Sequence, residues 1–145
     1  MLLSGGRMSA ANVDRRRDPR RDAAFSLKNL LRVRSERHAY TLAVLGTSEG
    51  LVMAGSRDDD LAQLTAAQLS LRLFKTEEAP FGRFTRACEG ARVTGLRFEV
   101  EGNELFLGVV DEGGRRDERE DDRLLDELVE RVQDIFQQQR ARLAA

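Results

Sequence analysis

The stretch Tyr40–Phe74 reads YTLAVLGTSEGLVMAGSRDDDLAQLTAAQLSLRLF, and its patterning decides the fold. Tyr40, Leu42 and Val44 fall on one side of a strand and Thr41, Ala43 and Leu45 on the other, the two-residue period of β structure. Gly46-Thr47-Ser48-Glu49-Gly50 contains two residues that tolerate positive φ, which suits a short hairpin loop. Leu51, Val52, Met53 and Ala54 then return as the partner strand before Gly55. Asp58, Asp59 and Asp60 offer a side-chain cap and negative charge where a helix N-terminus has unsatisfied N–H groups. An amphipathic helix is expected from there to Phe74.

Advancing about 100° per residue from Leu61 divides the apolar positions of that helix into two arcs. Leu61, Leu64, Ala67, Leu71 and Phe74 form one, and Ala62, Ala66, Leu69 and Leu73 form the other. Thr65, Gln68 and Arg72 run between the arcs on one side, Gln63 and Ser70 on the other. A surface helix needs a single apolar stripe to cover its own sheet. Two stripes mean that the second meets something else, or that both lie in one thick core. Which arc faces outward is not fixed by the spacing.

The 145 residues are enough for one modest domain with a core and tails. Hydrophobic residues make up 41% and charged residues 34%, a globular balance, and no apolar run is long enough for a membrane-spanning helix. The formal net charge of −1 gives no global field for nucleic acid or an anionic membrane. Lys28 and Lys75 are the only lysines, so arginine supplies nearly all positive charge. Cys88 stands alone, which excludes an intrachain disulfide and fits a reducing, cytoplasmic compartment.

Residues 1–21 read as an arginine-rich disordered leader. Met1-Leu2-Leu3 gives way at once to Ser4-Gly5-Gly6, too short for a secretory signal, and Met8 is a second candidate start. Arg15-Arg16-Arg17-Asp18-Pro19-Arg20-Arg21 is basic but has no interleaved aromatic residue, so a solvated leader is a better reading than a nucleic-acid site. A first helix is expected from Asp22 to about Arg37, with Ala23, Ala24, Leu27, Leu30 and Leu31 on one arc. His38 has no Cys, Asp or His partner at ligand spacing, so a structural role is expected and no metal site.

Beyond the central helix, Pro80 breaks the pattern, and Phe84, Arg86 and Cys88 alternate with Thr85, Ala87 and Glu89 as a short strand whose arginines suit a sheet edge. Thr94, Leu96, Phe98 and Val100 alternate with Gly95, Arg97, Glu99 and Glu101, giving one buried face. Gly102-Asn103 is expected as the tight turn, and Leu105, Phe106, Leu107, Val109 and Val110 as a central strand apolar on both faces. Asp111 to Asp122 reads as a salt-bridged surface loop, and the last helix opens near Asp121 or Asp122. Leu124, Leu125, Leu128, Val129, Val132, Ile135 and Phe136 make its single apolar face. Residues 22–139 form one domain in this reading, and 140–145 a short tail.

The element order is helix, strand, strand, helix, strand, strand, strand, helix: an α+β sandwich of one antiparallel sheet with helices on both faces. From about Asp22 to Phe136 the chain resembles the roadblock/LC7 family. The resemblance rests on Leu42-Ala43-Val44-Leu45 with Gly50-Leu51-Val52-Met53-Ala54-Gly55-Ser56, then Asp60-Leu61-Ala62. The leader, the charged segment Asp111–Asp122 and the weak Phe84 strand depart from it. It implies a homodimer in which the middle helices of two subunits pack together and edge strands pair into one continuous sheet. It also implies a scaffold or regulator of Ras-like GTPases or of motility and dynein machinery, here in a bacterial setting, with no catalytic motif to carry over and no cofactor. The interface candidates are Leu64, Gln68, Leu71, Arg72, Phe74, Phe84 and Arg86. The competing reading is a small ligand-sensing domain of GAF or profilin-like type, which needs a cavity with convergent polar groups. An enzyme is the weakest reading, since no Ser/His/Asp, Cys/His or phosphate-loop arrangement is visible in the sequence.

Overall fold

The computed structural model of the protein describes residues 19–113 and 116–144, with side chains from Ala23 onward except that of Cys88. The leader as far as residue 18, residues 114–115 of the charged segment and the Cys88 side chain lie outside the described residues. The elements are α1 (Pro19–Arg37), β1 (Leu42–Thr47), β2 (Val52–Gly55), α2 (Asp60–Phe74), β3 (Arg83–Cys88), β4 (Ala91–Val100), β5 (Asn103–Glu112) and α3 (Glu118–Ala144). Their order is the one expected. The first helix starts at Pro19 instead of Asp22, and a proline fits a first helical turn because its missing N–H has no intrahelical partner there.

The five strands form one sheet in the order β2-β1-β5-β4-β3, with every neighbouring pair antiparallel. β5 is the central strand and is buried from Leu105 through Asp111, which explains why it is apolar on both faces. Leu42, Val44, Phe106 and Val110 project to the face covered by α2, where Ala62, Ala66, Leu69 and Leu73 close over them. Ala43, Leu45, Leu107 and Val109 project to the other face, under Leu27 and Leu31 of α1 and Leu124, Leu125, Leu128 and Val132 of α3. Tyr40 belongs with this second cluster and not with Leu42 and Val44, because regular pairing begins only at Leu42 and Ala39 before it has φ 57°.

Two glycines make room for α2 on the sheet. Gly95 of β4 and Gly108 of β5 are directly paired across the ladder, and together they floor a hollow for Leu69. A methyl group on Gly95 would meet Leu69 Cδ2 at 2.7 Å, and one on Gly108 would come closer still to Leu69 Cδ1. Both approaches are inside van der Waals contact, so a larger residue requires the Leu69 side chain, or the helix that carries it, to shift. At the C-terminal end of α2, Arg97 Nη1 donates to the Leu73 carbonyl at 2.9 Å, which ties the helix end to β4.

Three boundaries differ from the sequence reading. The β4–β5 turn is Glu101-Gly102, with φ 52° and 83° and Val100 paired to Asn103, one residue earlier than Gly102-Asn103. Two consecutive positive φ values match the right-handed twist of a two-residue hairpin. α3 opens at Glu118, not Asp121 or Asp122, and the segment Asp111–Asp122 is not all surface, as described below. α3 also runs through residues 140–144, set apart as a tail on sequence grounds, with Arg140 pairing to Glu101 at 3.7 Å.

Gly108→Ala is expected to lower stability by about 1–3 kcal/mol by overpacking. In a Leu69→Ala background the same change should cost far less, because the clashing methyls are gone. Chemical denaturation of the four proteins in this cycle measures the coupling; equal costs in both backgrounds would show that the hollow does not set the helix position.

Candidate interaction surface

Asp59 is the N-cap of α2, and its carboxylate accepts from the Ala62 N–H at 3.3 Å, satisfying one of the otherwise unpaired donors at the helix start. With the cap and the Leu69 hollow both fixed, the rotation of α2 is set. Ala62, Ala66, Leu69 and Leu73 are sealed against the sheet, joined by buried Thr65 and Ser70 at the margins. The opposite face is left in solvent: Leu64 is 58% exposed and Leu71 is 45% exposed, with exposed Ala67 and Gln68 between them.

This outward face continues onto the sheet edge. Gln68 and Arg72 of α2, with Phe84 and Arg86 of β3, line one open groove whose floor includes Leu69, Ala91 and Val93. Phe74 and Phe84 are half-buried and pack on the edge of the α2-side core. Arg86 sits over the Phe84 ring at 5.5 Å and reaches Glu78 at 3.6 Å, while Arg72 pairs with the other Glu78 oxygen. The hydrogen bond from Arg72 holds the Glu78 carboxyl below its ordinary range despite some desolvation. The candidates therefore lie together: Gln68, Arg72, Phe84 and Arg86 around the groove, Leu64 and Leu71 on the same outward side of the helix, Phe74 at its end. β3 is an edge strand, as its arginines suggested, with one side of its backbone paired to no strand among the described residues. Phe81, at 93% exposure in the connection leading to β3, was not among the candidates; a single aromatic in an irregular segment gives no periodicity to read.

The fold has known counterparts. No family model and no curated protein matches the sequence. Among solved structures, a roadblock/LC7 domain from Streptomyces avermitilis superposes with TM-score 0.56 at 21% identity, covering 68% of this chain and 86% of that one. MglB in a tetrameric arrangement superposes with TM-score 0.61 at 13% identity, covering 84% and 93%. The gliding protein MglB from Thermus thermophilus gives TM-score 0.53 at 13% identity, covering 84% and 90%. The chain has the roadblock/LC7 fold.

On this roadblock fold, one polar cluster has the burial and charge of a catalytic centre and must be weighed as one. Asp121, in the first turns of α3, is fully buried and accepts four hydrogen bonds. Arg92 donates to it through Nε at 2.6 Å and Nη2 at 3.0 Å, Tyr40 through its hydroxyl at 2.6 Å, and Thr94 through Oγ1 at 2.8 Å. Arg92 Nη2 also approaches Asp111 at 3.5 Å, and the Arg116 N–H caps that second carboxylate at 3.1 Å. Burial would raise the Asp121 carboxyl, but the bonds from Arg92, Tyr40 and Thr94 outweigh it and hold the group below its usual range. Burial, then the Asp121 hydrogen bond, raises Tyr40 far above an ordinary phenol. Among the described residues no fully buried polar side-chain atom lacks a partner, so the charges of the cluster are satisfied by one another. It is a clamp joining the start of α3 to β4 and to the α1–β1 connection.

The expectation of a surface loop over Asp111–Asp122 is therefore corrected at its two ends. The missed signal lay in β4: extending the inward alternation Val100, Phe98, Leu96, Thr94 by one step places Arg92 inside, and an inward arginine requires a buried carboxylate. His38 lines an open groove with Tyr40, Arg116 and Glu127, and among the described residues no group of three or more His, Cys, Asp and Glu has metal-site geometry.

Asp121→Ala is expected to destabilise the domain by about 3–5 kcal/mol, because Arg92 is left buried without its counter-charge. A lowered folded-state pKa adds stability that is present above the unfolded value of about 3.9 and lost as pH falls through the folded value. Acid titration of the melting temperature should thus show a loss below about pH 4 in the natural chain that is diminished in the variant. Equal acid profiles would remove Asp121 from the account of acid stability.

Proposed function

We propose that the chain is a non-enzymatic, homodimeric scaffold or regulator of roadblock type, cytoplasmic and bacterial, whose protein partner is a Ras-like small GTPase. The observation that carries the dimer is the split character of α2, one face sealed on the sheet and the other presenting Leu64 and Leu71 to solvent. Isolated exposed leucines are ordinary. Here they share one helix face that runs into a groove bounded by Phe84 at a free strand edge, so helix and edge can be buried by one partner. A second copy offers the same elements in a two-fold arrangement, helix on helix and edge beside edge. The GTPase follows from the roadblock resemblance, and the likeness to MglB, one structure of which is described as a gliding protein, fits a motility setting.

Two substitutions separate interface from core. Leu71→Glu should give a folded monomer, because the new carboxylate would be desolvated twice in a symmetric interface, at a cost of several kcal/mol. Leu69→Glu should unfold the domain by placing that charge in the glycine hollow. Light scattering reads the mass and circular dichroism the fold; a Leu71→Glu protein that stays dimeric would contradict the interface. Affinity purification of the tagged chain from its native cell should recover a small GTPase reproducibly, and a partner set lacking any GTPase would contradict that part of the reading.

A further inference from the structure

α1 and α3 turn Leu27, Leu31, Leu125 and Leu128 toward the sheet, and between the two helices runs an open groove of about 460 Å³. Arg34, late in α1, pairs with Glu127, early in α3, while Phe25, early in α1, shares the groove with Ile135 and Gln138, so the helices are antiparallel. The lining recurs at helical spacing, with Phe25, Asn29, Val33 and Arg37 on one wall and Arg131, Asp134, Ile135 and Gln138 on the other. From Phe25 to Arg37 the wall is about 18 Å long at the helical rise.

Both walls are helices, whose interior N–H and C=O groups are bonded along their own axes. An extended strand laid between them finds no ladder partner, and a proline-rich segment needs aromatic walls, where this groove has Phe25 alone. A helix satisfies its own backbone, and its apolar side chains at i, i+3, i+4 and i+7 form a ridge that seats between two others. Apolar surface remains for such a ridge to cover. Phe25 is 72% exposed, and Leu30, Val33 and Ile135 are half-buried.

The charged lining is Arg34, Arg37 and Arg131 against Asp134. Glu127 engages Arg34. Arg37, Arg131 and Asp134 are exposed, and among the described residues no ion pair involves them. α1 as a whole is basic, with Arg20, Arg21, Lys28, Arg32, Arg34 and Arg37 against Asp22 and Glu36. The excess of guanidinium favours a partner that brings carboxylates, and it opposes a second copy that would meet the groove with its own α1. A bilayer surface, being flat, would bridge the groove without filling it.

We propose that the α1–α3 groove docks an acidic amphipathic helix of a partner protein, with its apolar ridge on Leu30, Val33 and Ile135 beside Phe25 and its carboxylates on Arg37 and Arg131. The groove lies across the sheet from α2. A second copy on α2 and a helix in the groove are therefore compatible, and the proposal does not rest on the dimer or on the GTPase.

The test is selection of a randomised library of helical peptides, each about four turns long, against the full chain. The enriched sequences should carry apolar residues at i, i+3, i+4 and i+7 and a net negative charge. The tightest of them should move amide signals of residues 25–37 and 131–138. Arg37→Gln/Arg131→Gln should weaken its binding about tenfold, the size expected of two exposed ion pairs, and Phe25→Ala should weaken it to a similar extent. All three positions are exposed, and circular dichroism checks that the variants fold. Leu71→Glu, on the α2 face, should leave the peptide affinity unchanged, so failure here and failure of the α2 interface are separate results. No enrichment, enrichment of basic sequences, shifts confined to α2, or an affinity indifferent to the arginines would overturn the proposal. Signals of residues 25–37 that move with protein concentration in the absence of peptide would assign the groove to a second copy. Sedimentation with phosphatidylglycerol vesicles that is lost in the arginine variant would assign it to a membrane. Either result overturns docking of a partner helix.

Discussion

Leu69 seated on Gly95 and Gly108 is the contact that the rest of the arrangement depends on. The two glycines sit opposite each other in the central ladder and let a helix side chain approach where any Cβ would collide. Once Leu69 points at the sheet, helix geometry directs Leu71 about 200° away from it and Leu64 nearly as far round. The exposed stripe is thus a consequence of the seat and of the sequence spacing. A helix rotated to bury Leu64 and Leu71 would have to lift Leu69 out of its hollow and leave a void, at a cost of the kind measured for buried leucine truncation, about 3–5 kcal/mol.

The opposite face of the sheet is held differently. There, hydrophobic packing of α1 and α3 is supplemented by the Asp121–Arg92 pair with Tyr40, Thr94 and Asp111 around it. The pair is fully hydrogen-bonded, the condition under which a buried ion pair is tolerated. Its value lies in specificity of position: Asp121 has one place where four donors converge, which fixes the register of α3 along the sheet. The sheet therefore carries an apolar, closely approached helix on one side and a polar-clamped helix pair on the other. The closely approached helix presents Leu64 and Leu71 side by side on its outward face, while Phe25 of α1 and Leu143 of α3 are exposed singly on the other side.

Much of this was readable in the sequence. The period-two runs located the strands, and the all-apolar run Leu105–Val110 identified the central one. The two arcs of α2 pointed either to a second apolar face beyond the one on the sheet or to one thick core. What spacing could not supply was the direction of each arc, because Leu69 and Leu71 are chemically equivalent and the seat that distinguishes them is made by Gly95 and Gly108, residues without side chains. Asp121 was hidden for the related reason that it stands within Glu118-Arg119-Glu120-Asp121-Asp122, where one buried carboxylate resembles its solvated neighbours. The turn at Glu101-Gly102 was displaced by one residue, since a glycine serves either central position of such a hairpin.

The functional reading rests on one structural claim: two copies meet through the outward faces of α2. Ala67 lies at the middle of that face and is exposed. Packed helix axes lie about 8–10 Å apart, within the span of a short bismaleimide. A chain carrying Ala67→Cys and Cys88→Ser should be cross-linked by that reagent into a covalent dimer at micromolar concentration, while Glu130→Cys on the exposed side of α3 in the same background should not. Cross-linking at Glu130→Cys with none at Ala67→Cys would contradict it.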